Sequence, residues 1–318
     1  MRLRRRLKRL KRIVRRPFEW LGIFLALAFF AVLPRRAMLA VCDFASAVMY
    51  AFDGKGRAIA RANLGIMFGS RLSERRTRLI MRRSYRNMAR SVGHAFWTSV
   101  FARSRAAAAS EADARCSELL AAHKCMITVS GHIGCWEILS QIAFLHGHRM
   151  MSVAKDIGTP AMTRLLMWSR RSIGQSIVPA QGAFKPLMAG VRDGMSLGLL
   201  VDQVVRPSDG GMWVRFFGRP HPVSSAPAFF SAKAKVPIGI AWSRPLKDGR
   251  YRCEYVDEIP CEEARDIWRT TQRCIAGLER VIRRHPSCWA LNYNCFRKSP
   301  NADELAKLEE REGQWTAR

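Results

Sequence analysis

KCMITVSGHIGCWEILS, residues 124–140, opens as a strand and closes as a helix, and the turn between them carries chemistry. Cys125 to Val129 is a short apolar, β-branched run of the kind that forms a buried strand. Gly131 breaks it, and an apolar helical pattern begins near Cys135. His132 therefore stands at a strand-to-helix turn, with Glu137 in the first turn of the helix that follows. In open α/β sheets the crevice outside the carboxyl ends of the strands is where ligands bind. A neutral imidazole there can take a proton from an attacking hydroxyl, and a carboxylate on its far nitrogen would hold the tautomer and stabilise the imidazolium. The spacing alone also fits a core histidine beside a helix-capping glutamate.

Outward from this stretch, strand and helix patterns alternate: strands at 125–130, 149–154, 176–180 and 197–203, helices at 135–146, 160–173 and 184–193. Thr159-Pro160 is an N-cap followed by Pro at the first helical position. Strands separated by helices predict an α/β fold, a largely parallel sheet flanked by helices. Val236–Ser243 and Arg250–Val256 form a predicted hairpin with Asp248-Gly249 as its turn. A helix over 262–284, a strand-like run from Cys288 to Cys295, and a charged tail from Asn301, either a surface helix or disordered, complete the pattern. No G-x-G-x-x-G and no Walker A lysine motif occurs, so nucleotide binding has no support.

Before the central stretch, residues 1–16 place Leu3, Leu7, Leu10 and Val14 at helical spacing among ten Arg and Lys, a basic amphipathic segment suited to a membrane surface or to nucleic acid. Trp20–Leu33 follows as fourteen uncharged residues. As a helix it reaches about 21 Å, short of a hydrocarbon core of about 30 Å. Arg35-Arg36 and Asp43 interrupt what comes next. Pro34-Arg35-Arg36 makes a poor signal-cleavage region, so 17–52 is expected to be an uncleaved anchor, interfacial or barely spanning. Lys55–Met67 is a basic helix, and Leu72-Ser73-Glu74 opens a long one to about Arg103, read as a structural layer. Residues 105–114 read as a linker or helix–helix connection. The expected organisation is a basic segment (1–16), anchor helices (17–52), a catalytic domain (53–300) and a charged tail (301–318).

The chain carries 54 Lys and Arg against 25 Asp and Glu, net +29, of which +19 remains outside the first sixteen residues. Such a surface calls for an anionic partner: nucleic acid, anionic lipid, or a phosphorylated or acidic substrate. Nine cysteines without a C-x-x-C pair argue for buried free thiols in a reducing compartment rather than a disulfide or zinc framework.

GHIGCWE resembles the H-x4-E/D signature of the lysophospholipid acyltransferase superfamily. RAIARANLGIMFGSRLSERR, LGLLVDQ (197–203), FFGRP (216–220), Pro222–Pro227 (opening a helix with a Ser cap) and VPIGIAWSRPLKDGRYRCEY resemble the lipid A late acyltransferase branch. The resemblance implies transfer of a fatty acyl group from an acyl carrier protein, or coenzyme A, thioester to a hydroxyl of a lipid A precursor or related glycolipid. It implies His132 as general base and Glu137 as its orienting carboxylate. Arg170, chosen over Arg171 in MWSRRSIG, and Asp202 with Gln203 are then expected to bind the acceptor or oxyanion. No metal or bound cofactor and no nucleic-acid partner is expected. The implied setting is the bacterial inner membrane, catalytic domain on the cytoplasmic side. Members commonly carry Pro-Glu-Gln-aromatic leading to Trp and His-Arg-Arg. Here Pro286–Cys295 reads PSCWALNYNC, which leaves a lysophospholipid or another glycolipid open as acceptor. Cys135 is a conceivable acyl-enzyme nucleophile, though the acceptor hydroxyl suffices chemically.

Overall fold

The structure, a computed structural model, describes residues 17, 19–99, 101–154 and 159–316. The basic segment 1–16 lies outside the described residues. The described residues open with the helices α1 (Glu19–Val32), α2 (Arg35–Phe52), α3 (Gly54–Phe68) and α4 (Glu74–Ser99). α2 lays Met38, Cys42 and Ser46 against α4. Asp43, which interrupts the apolar pattern, pairs both carboxylate oxygens with Arg90 of α4 at 2.6 Å. A charge that breaks the hydropathy of α2 is thus the group that fixes it in place. Phe44 and Phe52, by contrast, are exposed on α2, as are Trp20, Phe24 and Phe29 on α1. No single helix among the described residues is long and apolar enough to cross a membrane. α2 and α3, bent by 89°, pass together by length and composition.

The residues expected to form a linker after α4 instead make helix α5 (Ala102–Ala109) and a short strand, β1 (Ser110–Ala112). Ala-rich polar sequence has no strand signature; β1 exists because it pairs in parallel with the far edge of the sheet. The alternating region then runs α6 (Ala114–Ala122), β2 (Ile127–Ser130), α7 (Trp136–Leu145), β3 (Met150–Ala154), α8 (Pro160–Ser172), β4 (Ser176–Pro179), α9 (Phe184–Arg192) and β5 (Ser196–Leu200). After β5 comes a separate antiparallel hairpin, β6 (Gly211–Phe216) and β7 (Arg219–Ser224), so residues 222–224, at the head of the stretch read as opening a helix, are strand instead. Its turn is Phe217-Gly218 of the FFGRP motif, at φ of 53° and 76°, the positive pair that a tight hairpin turn demands. α10 (Ala226–Ala234), β8 (Ile238–Pro245), β9 (Tyr251–Ile259), α11 (Ile267–Arg284) and α12 (Ala302–Thr316) complete the chain. Ser225, at the N-cap of α10, makes no capping hydrogen bond.

The main sheet has the order β1-β9-β8-β2-β5-β3-β4, parallel except where β9 runs antiparallel to β8. The α/β class and the Asp-Gly hairpin are as the sequence pattern predicts. β2 is central, between β5 and β8, and buried throughout. That is why its pattern is continuously apolar rather than alternating. Ile127, Val129, Leu197, Ile238 and Ile240 are fully buried around it, each contributing about 1.5–3 kcal/mol by transfer from water.

The predicted last strand over 288–295 does not form. Its single ladder contact is a bridge between Trp289 and Ile133. Side chains of the helical layer take its carbonyls instead. Ser84 donates to the carbonyl of Trp289 at 2.6 Å, and Asn63 donates to those of Leu291 and Tyr293 at 2.8 Å. A backbone satisfied this way needs no strand partner. The tail forms a docked helix, with Leu308 1% exposed.

Candidate active site

β2 ends at Ser130 and the chain turns through Gly131-His132-Ile133-Gly134 into α7. Both glycines are demanded by neighbours. A Cβ on Gly131 would lie 3.0 Å from the Asp202 carboxylate. One on Gly134, at φ 63°, would lie 1.8 Å from the backbone oxygen of Ser243 on β8. The turn is therefore pressed between the ends of β5 and β8. The loop around Trp289 zips onto it: Gly134 N–H donates to Cys288 at 2.9 Å, and Ala290 N–H donates to the carbonyl of His132 at 2.9 Å.

The carboxylate on the far nitrogen of His132 is that of Asp202, not Glu137. His132 Nδ1 lies 2.8 Å from Asp202 Oδ1, and the backbone N–H of His132 donates to Oδ2 at 2.8 Å. Trp289 Nε1 donates to the same Oδ2 at 2.9 Å. The backbone carbonyl of Asp202 accepts from His221 Nε2 at 3.3 Å, with the Cys295 thiol at 3.5 Å. Asp202 was expected to meet the acceptor. It is 2% exposed and stands behind the ring, every oxygen occupied, so its chemistry reaches outward only through His132.

With Nδ1–H donating to Asp202, Nε2 carries the lone pair. It faces the side-chain amide of Gln203 at 3.2 Å, and the Trp136 ring lies beside the imidazole at 5.0 Å. The His132 side chain is 23% exposed. Burial pulls its affinity for a proton down. The charge and hydrogen bond of Asp202, reinforced by the charge of Glu137, outweigh this and carry it above the ordinary histidine value. Burial conversely pushes the Asp202 carboxyl up, but His132 and the Trp289 indole hold it below the usual carboxylate range.

Glu137 and Arg170 form a second unit beside the first. Arg170 Nε and a terminal nitrogen donate to the two Glu137 oxygens at 3.0 and 2.6 Å, and Trp136 Nε1 donates to Glu137 at 3.0 Å. Both side chains are largely buried, at 14% and 10% exposure. Arg171, by contrast, is exposed. The fold thus brings all five expected residues together, but distributes the pairing differently: Asp202 with His132, Glu137 with Arg170.

Cys135 is fully buried. Its sulfur lies 3.8 Å from the Ser91 carbonyl on α4, and burial pushes its thiol up to about 12. It is an inert core thiol in this state.

Sequence reading missed Trp289, His221 and Asn63 as supports of the site. Trp289 was visible only as a member of a departing motif, and the Arg-x-Asn-Leu run only as part of a structural helix. His221 carries no local signal at all.

A family model for bacterial lipid A biosynthesis acyltransferases matches residues 5–298, a span holding every residue of this site. A search of curated proteins returns no match. With the match covering most of the chain, the protein belongs to the bacterial lipid A biosynthesis acyltransferase family.

Proposed function

We propose that the chain moves a fatty acyl group from a carrier-protein or coenzyme A thioester directly to a hydroxyl of a lipid A precursor, with His132 Nε2 as the base. The observation that carries this reading is the orientation of the ring. Asp202 holds Nδ1–H inward, leaving the Nε2 lone pair on the partly open side. The acceptor oxygen attacks the thioester carbonyl as its proton passes to Nε2. The tetrahedral adduct then expels the thiolate, which takes the proton back from the imidazolium as the free thiol. Gln203, now on Nε2, would yield its place to the acceptor hydroxyl and remain near it as a donor. Arg170, held by Glu137, supplies fixed positive charge next to the developing oxyanion. The buried, protonated Cys135 argues against an acyl-enzyme on that thiol.

The exposed aromatic residues of α1 and α2 and the net charge of +29 support association with an anionic membrane surface. Placement on the cytoplasmic side of the inner membrane follows from the same reading. The decisive experiment pairs lipid mass spectrometry of cells with and without the gene with an assay crossing two donors, acyl carrier protein and coenzyme A thioesters, with two acceptors. An added acyl chain on a lipid A precursor is the expected result. Transfer confined to a lysophospholipid acceptor would move the assignment to that substrate.

A further inference from the structure

A second, separate site stands where α12 meets the body of the fold. α12 lies beyond the span matched by the family model, which ends at residue 298. It is nonetheless firmly docked. Leu308 is buried, Glu312 accepts from Arg215 at 2.7 and 2.9 Å, and Trp315 meets Trp268 of α11 edge-on at 5.5 Å. Between the last turn of α12 and the first turn of α11 lies a cavity of about 350 Å³, within the range of small-ligand sites. It shares no residue with the His132 site.

Its lining is cationic and aromatic: Arg265 and Arg269 from the start of α11, Arg311 from α12, Met212 of β6, and the two tryptophans. Arg265 feels the charge of the exposed Glu262, but among the described residues none of the three arginines makes a direct ion pair. The one acid in the lining, Asp266, accepts from the Arg269 backbone N–H at 2.9 Å as the cap of α11 and offsets one of the three positive charges, leaving the lining net cationic. Three exposed guanidinium groups around one small cavity, with a single carboxylate among them, leave a net positive field that favours an anionic ligand. Guanidinium forks match phosphate oxygens in geometry, and the start of the 18-residue α11 adds its positive dipole end. The flat indole faces offer a wall for whatever the phosphate is attached to.

We propose that this cavity binds a phosphorylated ligand, a phosphomonoester or diphosphate whose attached ring or chain lies along Trp268 and Trp315. The arrangement depends on Arg311 and Trp315 of α12, so the site belongs to this chain's own architecture rather than to the matched span.

The test is calorimetric titration of the full chain, in detergent, with inorganic pyrophosphate. Saturable binding that weakens with added salt is expected, and Arg265→Ala/Arg311→Ala should weaken it by at least about tenfold. Both arginines are exposed, so the unliganded melting temperature should be unchanged. Arg311→Gln alone, with a smaller loss in the same direction, covers the case of a poorly folding double variant. Displacement of pyrophosphate by glucose 1-phosphate identifies a soluble phosphate ester as the ligand class, and displacement by phosphatidic acid in mixed micelles of the same detergent identifies a lipid headgroup. Absence of saturable binding, or equal affinity in the variants, overturns the proposal. Acyl transfer by the variants is measured in parallel; because the cavity and the His132 site share no residue, either reading can fail without the other.

Discussion

Two carboxylates flank His132, and they do opposite things. Glu137 is five residues away along the chain, at the start of α7. Asp202 is seventy residues away, just past the end of β5. The near one faces Arg170 and Trp136 and touches the imidazole only through its charge. The distant one grips both the ring and the backbone of the histidine. Proximity in sequence put Glu137 in the first turn of α7, just after the turn that carries His132, but there its carboxylate meets Arg170 and Trp136. The parallel neighbour strand ends directly beneath the turn. What this teaches is that a His-x4-Glu spacing marks a shared site without saying which carboxylate holds the ring.

The sharpest way to test the comparison is to remove the ring and then each acid in turn. His132→Ala should abolish acyl transfer, a fall on the order of 10²–10⁴ in rate, with circular dichroism and melting unchanged. Asp202→Asn should approach the same loss, because an amide NH₂ would confront the donors of Trp289 or His132 and the ring tautomer is no longer held. It also has a pH signature. The base works only when neutral, so wild-type activity falls as pH drops through the raised His132 value. Without Asp202, burial dominates and the acid limb of the profile should move to lower pH. An unmoved limb would show that Asp202 does not face the working imidazole.

Glu137→Gln should cost less in rate, about tenfold to a hundredfold, and more in stability. It leaves the largely buried Arg170 without its counter-charge, a loss of up to about 3 kcal/mol in a denaturant titration. The acid limb should shift only slightly. If Glu137→Gln moves that limb as far as Asp202→Asn does, the two carboxylates exchange roles in the working enzyme and the comparison fails.

Trp289→Phe should be smaller still. It removes one donor from a buried, charged acceptor, worth about 1.5–3 kcal/mol, and should lower turnover by about tenfold while leaving substrate KM little changed. A variant with wild-type turnover would make the indole a packing residue only.

The smallest effect lies away from the site. His94 is fully buried between Trp97 and Tyr251, and burial presses its imidazole down to about 3. The unfolded chain protonates it near pH 6.5. Between those values the unfolded state binds the extra proton, so stability is lost as pH falls below about 6.5. His94→Phe, which keeps the aromatic packing, should flatten that loss in thermal melts between pH 6.5 and 4.5 and change little at pH 8. An identical acid dependence in the variant would show that other groups set it.

Where reading and structure part, the cause is contact between segments remote in sequence. Residues 110–112 read as part of a linker, yet they form β1 because β9 holds them extended. Residues 288–295 read as a strand, yet Asn63 and Ser84 took the carbonyls a strand partner would have used. The β6–β7 hairpin has no local signal, since its turn pair Phe217-Gly218 lacks the usual Asn-Gly or Asp-Gly signature.

The sequence by itself determined the α/β class, the parallel core and the strand-to-helix turn that carries His132. Hydrophobic periodicity and Gly breaks are local properties, and a buried central strand must be apolar whatever packs around it. Only the tertiary structure decided which acid serves which base. Hydrogen bonds act over about 3 Å, and the ends of β2 and β5 come that close only when the sheet assembles. The pairing of Asp202 with His132, and of Glu137 with Arg170, is therefore a consequence of strand order, which no local spacing encodes.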